Sequence, residues 1–588
     1  MFKNYFIGII ALFVLFGCEP SKNQESDLPA ENEIGLLFSP AQKMAASGNL
    51  NLMDYWSKIE STLTSSLPVV LLTKPELEDE NQQLAQNMAI RNASFLRDIN
   101  KRGSGEPLHT EMMSVRPASS AELLKDEVQA TLNVYRVEMY NFYYNTSTIA
   151  YVDVKNRRII KVKHSTSTPN EINENLRKLA KNIALSSKEV LDALGCTKMQ
   201  ANSLPYHLNT TKCERSRHLC SAPTFRKGNK ELWVIVDLTD LDVVGYDWVA
   251  SNPNRPQVVT ERSLQNEFVV EKFCGTDTQL KKGDWNITYT LTGSDGLEIK
   301  NVTFQEQPVL ATAKIVDWHV TYDFKKGFGY SDAIGCPMFS AAAVVAFNGP
   351  EVRDIKQNGE VVGFALVQDF RSPVWPLACN YRYQNRFEFY QDGRFRVAGV
   401  NLGLGCGKGG WYRPVFRMAL AAGGAEGQTV SRWEQGQWAA FDKEAWFLQD
   451  EKTTYSPEGY LYQIKTGQNK GFYLEPGNGQ FGDGGRGDNA YTYITVDHKS
   501  EEEGAGNMPT IGSCCNTDYQ QGPEEFLTPP ESLKGQDLII WYVPQMPNDD
   551  TPGKEYCWVI PEVQKGREVD VTYAGIVGPM FVPISMKK

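Results

Sequence analysis

The sequence has few histidines and lacks the motifs of common metal and redox sites. Only six histidines occur among 588 residues, all isolated: His109, His164, His207, His218, His319 and His498. No Cys-x-x-Cys pair occurs, so a zinc ribbon or a thioredoxin-like centre has no support. The net charge is −11 and no basic stripe is present, which argues against nucleic acid as a partner.

The only strongly apolar run, at the N-terminus, is too short to cross a bilayer. Lys3 precedes apolar residues 5–16, and the run ends in Leu-Phe-Gly-Cys at Cys18. This pattern predicts a lipoprotein export signal with Cys18 as the lipidated residue. An ordinary signal peptide or a short anchor is the alternative. We therefore expect a lipid-anchored protein of the cell envelope, at the outer membrane of a Gram-negative bacterium.

Composition and cysteine content indicate packed domains outside the cytoplasm. Hydrophobic residues make up 41 % of the chain and aromatic residues 11 %, as in globular domains. Eleven cysteines occur, of which ten remain after Cys18. An even number in an exported protein predicts disulfides, although the sequence leaves their pairing open.

Hydrophobic periodicity predicts an α+β protein. Helices are expected over 75–100 and 170–194, and strand pairs before and after the second of them. Asp295-Gly296 and Asp392-Gly393 are typical of tight hairpin turns in a later all-β region. The predicted organisation is a signal peptide (1–18), a flexible tether (19–35), a mainly helical region (36–124), a small α+β domain (125–256) and a large antiparallel β-sandwich (257–588).

Several stretches, in this order and spacing, resemble the catalytic domain of the copper, topaquinone-dependent amine oxidases. They are Asp295–Ile299, His319–Tyr322, Asn380–Tyr383, Phe389–Gly393, Asn489–Tyr491 and Gln536–Tyr542. The resemblance covers about 440 residues from near Asn133. It implies a cystatin-like α+β domain ahead of an amine-oxidase-like supersandwich, and a homodimer.

The resemblance also implies a catalytic apparatus. In the family, the tyrosine after asparagine is oxidised by bound copper to a quinone that reacts with a primary amine, and a buried aspartate removes a proton from the substrate. Tyr381 stands at the quinone-precursor position, where the next residue is Arg382 instead of the family's acidic residue. The nearest candidate for the base is Asp323, with Asp332 as the second.

The histidines that hold copper in this family have no counterparts here. Where the family has a His-x-His pair, residues 411–414 read Trp-Tyr-Arg-Pro, and no histidine follows His498. Imidazole gives copper its affinity and redox geometry in such sites. The sequence therefore predicts no metal and no cofactor, and a non-catalytic binding or assembly module whose ligand, protein or small molecule, is open.

Two alternatives remain open. The first is an active primary-amine oxidase with a Tyr381-derived quinone and displaced metal ligands, drawn from Cys406, Cys514, Cys515, His319 and His498. The second is a hydrolase on a β-sandwich, in which two carboxylates act as acid and base. The candidates for that pair are Asp323, Asp332, Glu388 and Asp483.

Overall fold

The computed structural model describes residues 35–36, 50–123, 133–251, 258–322, 329–337, 344–421, 428–465, 470–477, 486–499 and 521–585. The chain forms two compact units. The first contains residues 1–213, 217–264 and 563–567, and the second contains 214–216, 265–562 and 568–588. The predicted residue Cys18 and its apolar segment lie outside the described residues.

The first unit contains two five-stranded sheets. Its elements are β1 (Gly35–Leu36), α1 (Leu50–Leu63), β2 (Val69–Val70), α2 (Glu80–Ala89), β3 (Thr110–Pro117), β4 (Val134–Asn141), β5 (Thr146–Asp153), β6 (Arg158–Ser165), α3 (Glu174–Ala184), α4 (Lys188–Leu194), α5 (Lys198–Asn202), β7 (Tyr206–Asn209), β8 (Cys220–Lys227), β9 (Lys230–Asp237) and β10 (Asp242–Ala250). The sheet orders are β2-β3-β4-β5-β6 and β1-β10-β9-β8-β7. Helix α2 packs on the first sheet and α3 on the second, so each sheet buries one face under a helix.

Both predicted helices are shorter than their apolar periodicity suggested, because polar side chains take over backbone groups. The stretch predicted over 170–194 divides into α3 and α4, and Ser187 caps α4 by accepting a hydrogen bond from the Val190 amide. In the stretch predicted over 75–100, Asp79 caps the start of α2 through the Gln82 amide. Such side-chain bonds offer the backbone an alternative to continuing a helix.

The second unit is built almost entirely from strands, and it includes α6 (Glu261–Lys272) from residue 265 onward. The strands are β11 (Thr278–Lys282), β12 (Trp285–Leu291), β13 (Leu297–Phe304), β14 (Gln307–Tyr322), β15 (Gly329–Asp332), β16 (Ile334–Gly335), β17 (Val344–Ala346), β18 (Glu351–Gln357), β19 (Glu360–Arg371), β20 (Arg382–Tyr390), β21 (Phe395–Asn401), β22 (Gly410–Leu420), β23 (Thr429–Glu434), β24 (Gln437–Ala440), β25 (Ala445–Leu448), β26 (Tyr462–Lys465), β27 (Gly471–Glu475), β28 (Tyr491–Val496), β29 (Leu538–Val543), β30 (Met546–Pro547), β31 (Trp558–Gln564), β32 (Arg567–Tyr573), β33 (Gly575–Val577) and β34 (Met580–Pro583).

Two large sheets enclose the core of this unit. One has the order β11-β12-β13-β14-β22-β29-β28-β25, and the other β16-β17-β19-β20-β21-β34-β27-β26-β23-β24. Buried side chains of both sheets, such as Ile299 and Phe364, belong to one hydrophobic cluster. The predicted α+β fold class, with small α+β sheets before a large antiparallel sandwich, is confirmed. The predicted hairpin turns also form, and Gly296 and Gly393 have φ of 68° and 87°.

Disulfides are present, as the cysteine count predicted. The described pairs are Cys213–Cys220, Cys274–Cys336 and Cys379–Cys406. Among the described residues, the free cysteine is the buried Cys557. Within the same described part of the chain, no helix combines the length and hydrophobicity needed to span a membrane.

Candidate functional site

Four buried tyrosines meet where β14, β20 and β22 come together in the second unit. Tyr322 ends β14, Tyr381 immediately precedes β20, and Tyr383 and Tyr412 lie on β20 and β22. All four are at most 7 % exposed. Strand β14 pairs antiparallel with β22, with Val320 opposite Tyr412. Because alternate residues of a strand share a face, Val320 and Tyr322 point into the same core.

Hydrogen bonds join three of these phenols. The Tyr322 hydroxyl lies 3.2 Å from the hydroxyls of both Tyr381 and Tyr412. It also accepts a hydrogen bond of 2.7 Å from the Cys406 amide. Burial raises the pKa of Tyr322, so the phenol is neutral at ordinary pH and acts as both donor and acceptor. We call Tyr322, Tyr381, Tyr383 and Tyr412 the tyrosine cluster.

The loop over the tyrosine cluster requires glycine at position 405. Gly405 has φ of +58°, and a Cβ there would lie 2.1 Å from the Tyr412 hydroxyl and 2.3 Å from the Tyr322 hydroxyl. Any side chain would therefore displace the phenols, besides being strained at this φ. The glycine lets the backbone approach closely enough for the Cys406 amide to reach Tyr322.

Hydrogen bonds to Ser372 and a nearby disulfide hold Tyr381 in place. Its amide donates to the Ser372 hydroxyl at 3.0 Å, and its carbonyl accepts from the Ser372 amide at 2.8 Å. The disulfide Cys379–Cys406 ties the segment before Tyr381 to the loop over the tyrosine cluster. The Tyr381 hydroxyl lies 3.5 Å from Cys406 Sγ. The position that the sequence singled out is thus a buried and firmly positioned phenol.

Asp332 contacts the tyrosine cluster through Tyr383. It lies on β15, opposite Trp318 of β14, and its Oδ2 accepts a hydrogen bond of 2.9 Å from the Tyr383 hydroxyl. Trp318 stacks on Tyr383 with ring centroids 4.0 Å apart. Burial raises the pKa of Asp332 to about 7, and the nearby Asp317 adds to the rise. Asp332 can therefore exchange a proton near neutral pH.

Of the site residues predicted from the sequence, Tyr381 and Asp332 contact the tyrosine cluster at different members. Asp323, the first candidate for a base, lies outside the described residues. Asp332, the second candidate, is beside Tyr383, whereas Tyr381 contacts Tyr322 and Cys406. The sequence did not predict that Tyr322 joins Tyr381 to Tyr412. Tyr322 pairs with Gly410, two residues before Tyr412 on β22, so their proximity could have been predicted only with the register of β14 and β22 known.

The donor atoms near Tyr381 do not suit a copper ion of the imidazole-bound type. Tyr412 lies on β22 and pairs in register with Met546 of β30. Behind them the Met546 thioether lies 3.9 Å from the buried Cys557 thiol. These described neighbours are phenols and soft sulfur groups, whereas redox-active copper favours neutral imidazoles.

The histidines and cysteine proposed as displaced ligands have other partners. His319 points away from Tyr322 by strand alternation, and its Nδ1 lies 3.3 Å from Gln521. His498 Nε2 lies 3.2 Å from the Glu531 carboxylate. Cys406 is in a disulfide, so it offers no thiolate. The remaining two candidates, Cys514 and Cys515, lie outside the described residues.

The carboxylates proposed for hydrolysis are engaged separately. Glu388 accepts hydrogen bonds from Arg386 at 2.5 Å and from the Tyr390 hydroxyl at 2.9 Å. Asp332 bonds to Tyr383 instead. Asp323 and Asp483 lie outside the described residues. The geometry therefore provides no support for pairing Asp332 with Glu388 as acid and base.

Comparison with solved structures finds amine oxidases at low similarity. A copper-containing benzylamine oxidase from Hansenula polymorpha is 12 % identical, covering 86 % of this chain and 96 % of its own, with a TM-score of 0.31. Lysyl oxidase of Pichia pastoris is 11 % identical, covering 87 % of this chain and 91 % of its own, with a TM-score of 0.30. An amine oxidase of Aspergillus nidulans is 11 % identical, covering 87 % of this chain and 89 % of its own, with a TM-score of 0.32. No protein-family model matches the sequence, and no curated protein matches it.

Proposed function

We propose that this chain is a lipid-anchored envelope protein with an amine-oxidase-like sandwich that acts without copper or a quinone, as a binding or assembly module. The observation that carries the proposal is the environment of Tyr381. Its hydroxyl contacts another phenol and a disulfide sulfur. Tyr412 fills the place that the sequence resemblance assigns to copper-binding histidines.

The kind of donor atoms that the described residues place near Tyr381 matters because the quinone depends on the metal. In the family that the sequence resembles, bound copper oxidises the tyrosine, so a chain that cannot hold copper keeps an ordinary phenol. The three hydroxyls of Tyr322, Tyr381 and Tyr412 satisfy one another, as buried polar groups must. The tyrosine cluster is then a packing element that positions the loop over it.

The alternative function is a primary-amine oxidase with an atypical metal site. The observation that favours it is Asp332, whose pKa near 7 suits a group that accepts and releases protons. A buried Asp332 whose only role is to accept the hydrogen bond from Tyr383 would have a raised pKa as well, so the pKa alone does not establish catalysis. The two functions are separated by whether Tyr381 is chemically modified.

The test uses the oxidised chain from residue 19 onward, incubated aerobically with copper and then desalted. We expect a copper content no higher than that of the Tyr381→Phe variant by elemental analysis, no band with a quinone redox stain, and no peroxide from a panel of primary amines. The matched control is Tyr381→Phe, which should be indistinguishable from the wild type in all three assays. Stoichiometric copper with a stained band that disappears in Tyr381→Phe would overturn the proposal in favour of the oxidase.

The proposed membrane anchor is tested separately. In cells, the wild-type chain should incorporate labelled fatty acid and sediment with membranes, whereas Cys18→Ser should do neither. Equal membrane association of Cys18→Ser and the wild type would show that another feature holds the protein there. The described disulfides support the export that such an anchor requires. Self-association into a homodimer is likewise proposed, and sedimentation of the same preparation measures it.

A further inference from the structure

A compact group of metal-ligand side chains lies in the first unit, at the end of β9. One ligand atom from each of His218, Asp237 and Asp240 lies within 4.8 Å of the others. His218 Nδ1 is 2.7 Å from Asp237 Oδ2 and 3.7 Å from Asp240 Oδ2. Zinc and similar divalent cations bind to imidazole nitrogens and carboxylate oxygens that lie this close together in proteins.

The group is held by its surroundings. Asp237 Oδ1 accepts hydrogen bonds from the amides of Thr239 at 2.7 Å and Asp240 at 3.0 Å. This arrangement aims the other carboxylate oxygen, Oδ2, at His218. The Asp237 side chain is 7 % exposed and that of His218 27 %. Two of the three ligands are therefore already oriented, which reduces the entropy lost on binding an ion.

A disulfide fixes the segment that carries the histidine. Cys213 and Cys220 are bonded to each other, and His218 lies between them. Cys220 also pairs in register with Asp237 across β8 and β9. The short closed loop thus keeps His218 above the end of β9 even without an ion.

The local charge favours a cation. Against the effect of its burial, Asp237, Asp240 and the buried Glu261 raise the pKa of His218 to about 10, so a bound ion has to displace the imidazole proton. Three carboxylates thus face one imidazole in this part of the unit. Asp240 has a side chain that is 55 % exposed, so it can rotate to close coordination while leaving a path from solvent.

We propose that His218, Asp237 and Asp240 bind one divalent cation of the zinc type. Three protein ligands leave a coordination position for water or another small ligand, as zinc sites outside closed structural centres do. The site lies in the first unit and does not depend on the function proposed for the tyrosine cluster. The competing interpretation is an ion pair of His218 with Asp237 that binds no metal.

Zinc binding is measured by titration calorimetry on the oxidised chain from residue 19 onward, without an affinity tag and after removal of metal by a chelator. We expect one equivalent bound, with affinity reduced at least tenfold in His218→Ala and in Asp240→Asn. His207→Ala is the matched control, because His207 is 47 % exposed and 3.9 Å from a single carboxylate. It should bind as the wild type does.

Three outcomes would overturn the proposal. The first is no zinc binding by the wild-type chain. The second is binding that His218→Ala and Asp240→Asn leave unchanged, which means an adventitious ion elsewhere. The third is binding only after reduction, which would assign the metal to the thiolates of Cys213 and Cys220. Because Asp240 is exposed, the Asp240→Asn variant should fold even if His218→Ala does not, and thermal melting of both variants verifies this.

Discussion

Arg567 should be the most sensitive buried charge of the first unit. It is 4 % exposed, and its Nε donates to His109 Nδ1 at 2.9 Å. His109 Nε2 lies 2.7 Å from Glu111, which also accepts from the Tyr55 hydroxyl. Burial lowers the pKa of His109 to about 4, aided by the Arg567 charge. The neutral imidazole therefore links a buried guanidinium to a buried carboxylate.

Replacing Arg567 by Met keeps the apolar stem but removes the charge that balances Glu111. Burial alone would raise the pKa of Glu111, and its contacts with His109, Tyr55 and Arg567 lower it instead. The variant also loses the bonds from Arg567 to the carbonyls of Leu238 and Thr239. Leaving a buried charge without its counter-charge costs about 3–5 kcal/mol, which corresponds to a Tm lower by roughly 6–20 °C for a unit of this size.

The assay is differential scanning calorimetry, with hydrogen exchange across β3 to locate the change. The control is Lys565→Ala, which removes a pair with Glu60 whose side chains are 52 % and 56 % exposed. Such a surface pair is worth about 0–1 kcal/mol. Adding Glu111→Gln to Arg567→Met should recover about 1–3 kcal/mol, because the unpaired charge is removed. A loss in Arg567→Met no larger than in Lys565→Ala would refute the reasoning.

Three further predictions concern the second unit. The double variant Cys379→Ser/Cys406→Ser should lose about 3–4 kcal/mol of unfolding free energy, since the disulfide closes a separation of 27 residues. Denaturant unfolding measures this loss, and a value below about 1 kcal/mol would contradict the prediction. Tyr322→Phe should cost about 1–3 kcal/mol because the Cys406 amide loses its acceptor, whereas the exposed Tyr206→Phe should cost almost nothing. The pKa of Asp332 is raised from 3.8 to about 7 by burial, so the folded state binds more protons than the unfolded state, and its stability should fall as pH rises from about 4 to 7. Asp332→Asn should flatten this dependence by roughly 2–4 kcal/mol in pH-dependent unfolding; an unchanged profile would show that Asp332 titrates normally.

Local features of the sequence predicted the elements but not their ends. Strand alternation located β9 and β10, and the turn glycines located the hairpins of the sandwich. The starts of α2 and α4 were missed because Asp79 and Ser187 cap them through hydrogen bonds, which apolar periodicity does not reveal. Tertiary contacts and side-chain caps routinely override such periodicity at element boundaries.

The candidate site could be predicted only in part. The sequence singled out Tyr381 and offered Asp332 as a second base. It could not place Asp332 on Tyr383, because that contact requires β15 to return beside β14. Nor could it show that Cys379 pairs with Cys406, since several pairings satisfy the same even count of cysteines.

The sequence by itself determined what is local: alternating strands, glycine at turns with positive φ, enough cysteine for disulfides, and six histidines with no His-x-His pair among them. The tertiary structure decided which distant side chains meet. Tyr322 reaches Tyr381 across 59 residues and Tyr412 across 90, and Arg567 reaches His109 across 458. Such contacts depend on strand register and sheet order, which long-range packing sets and local patterns leave undetermined.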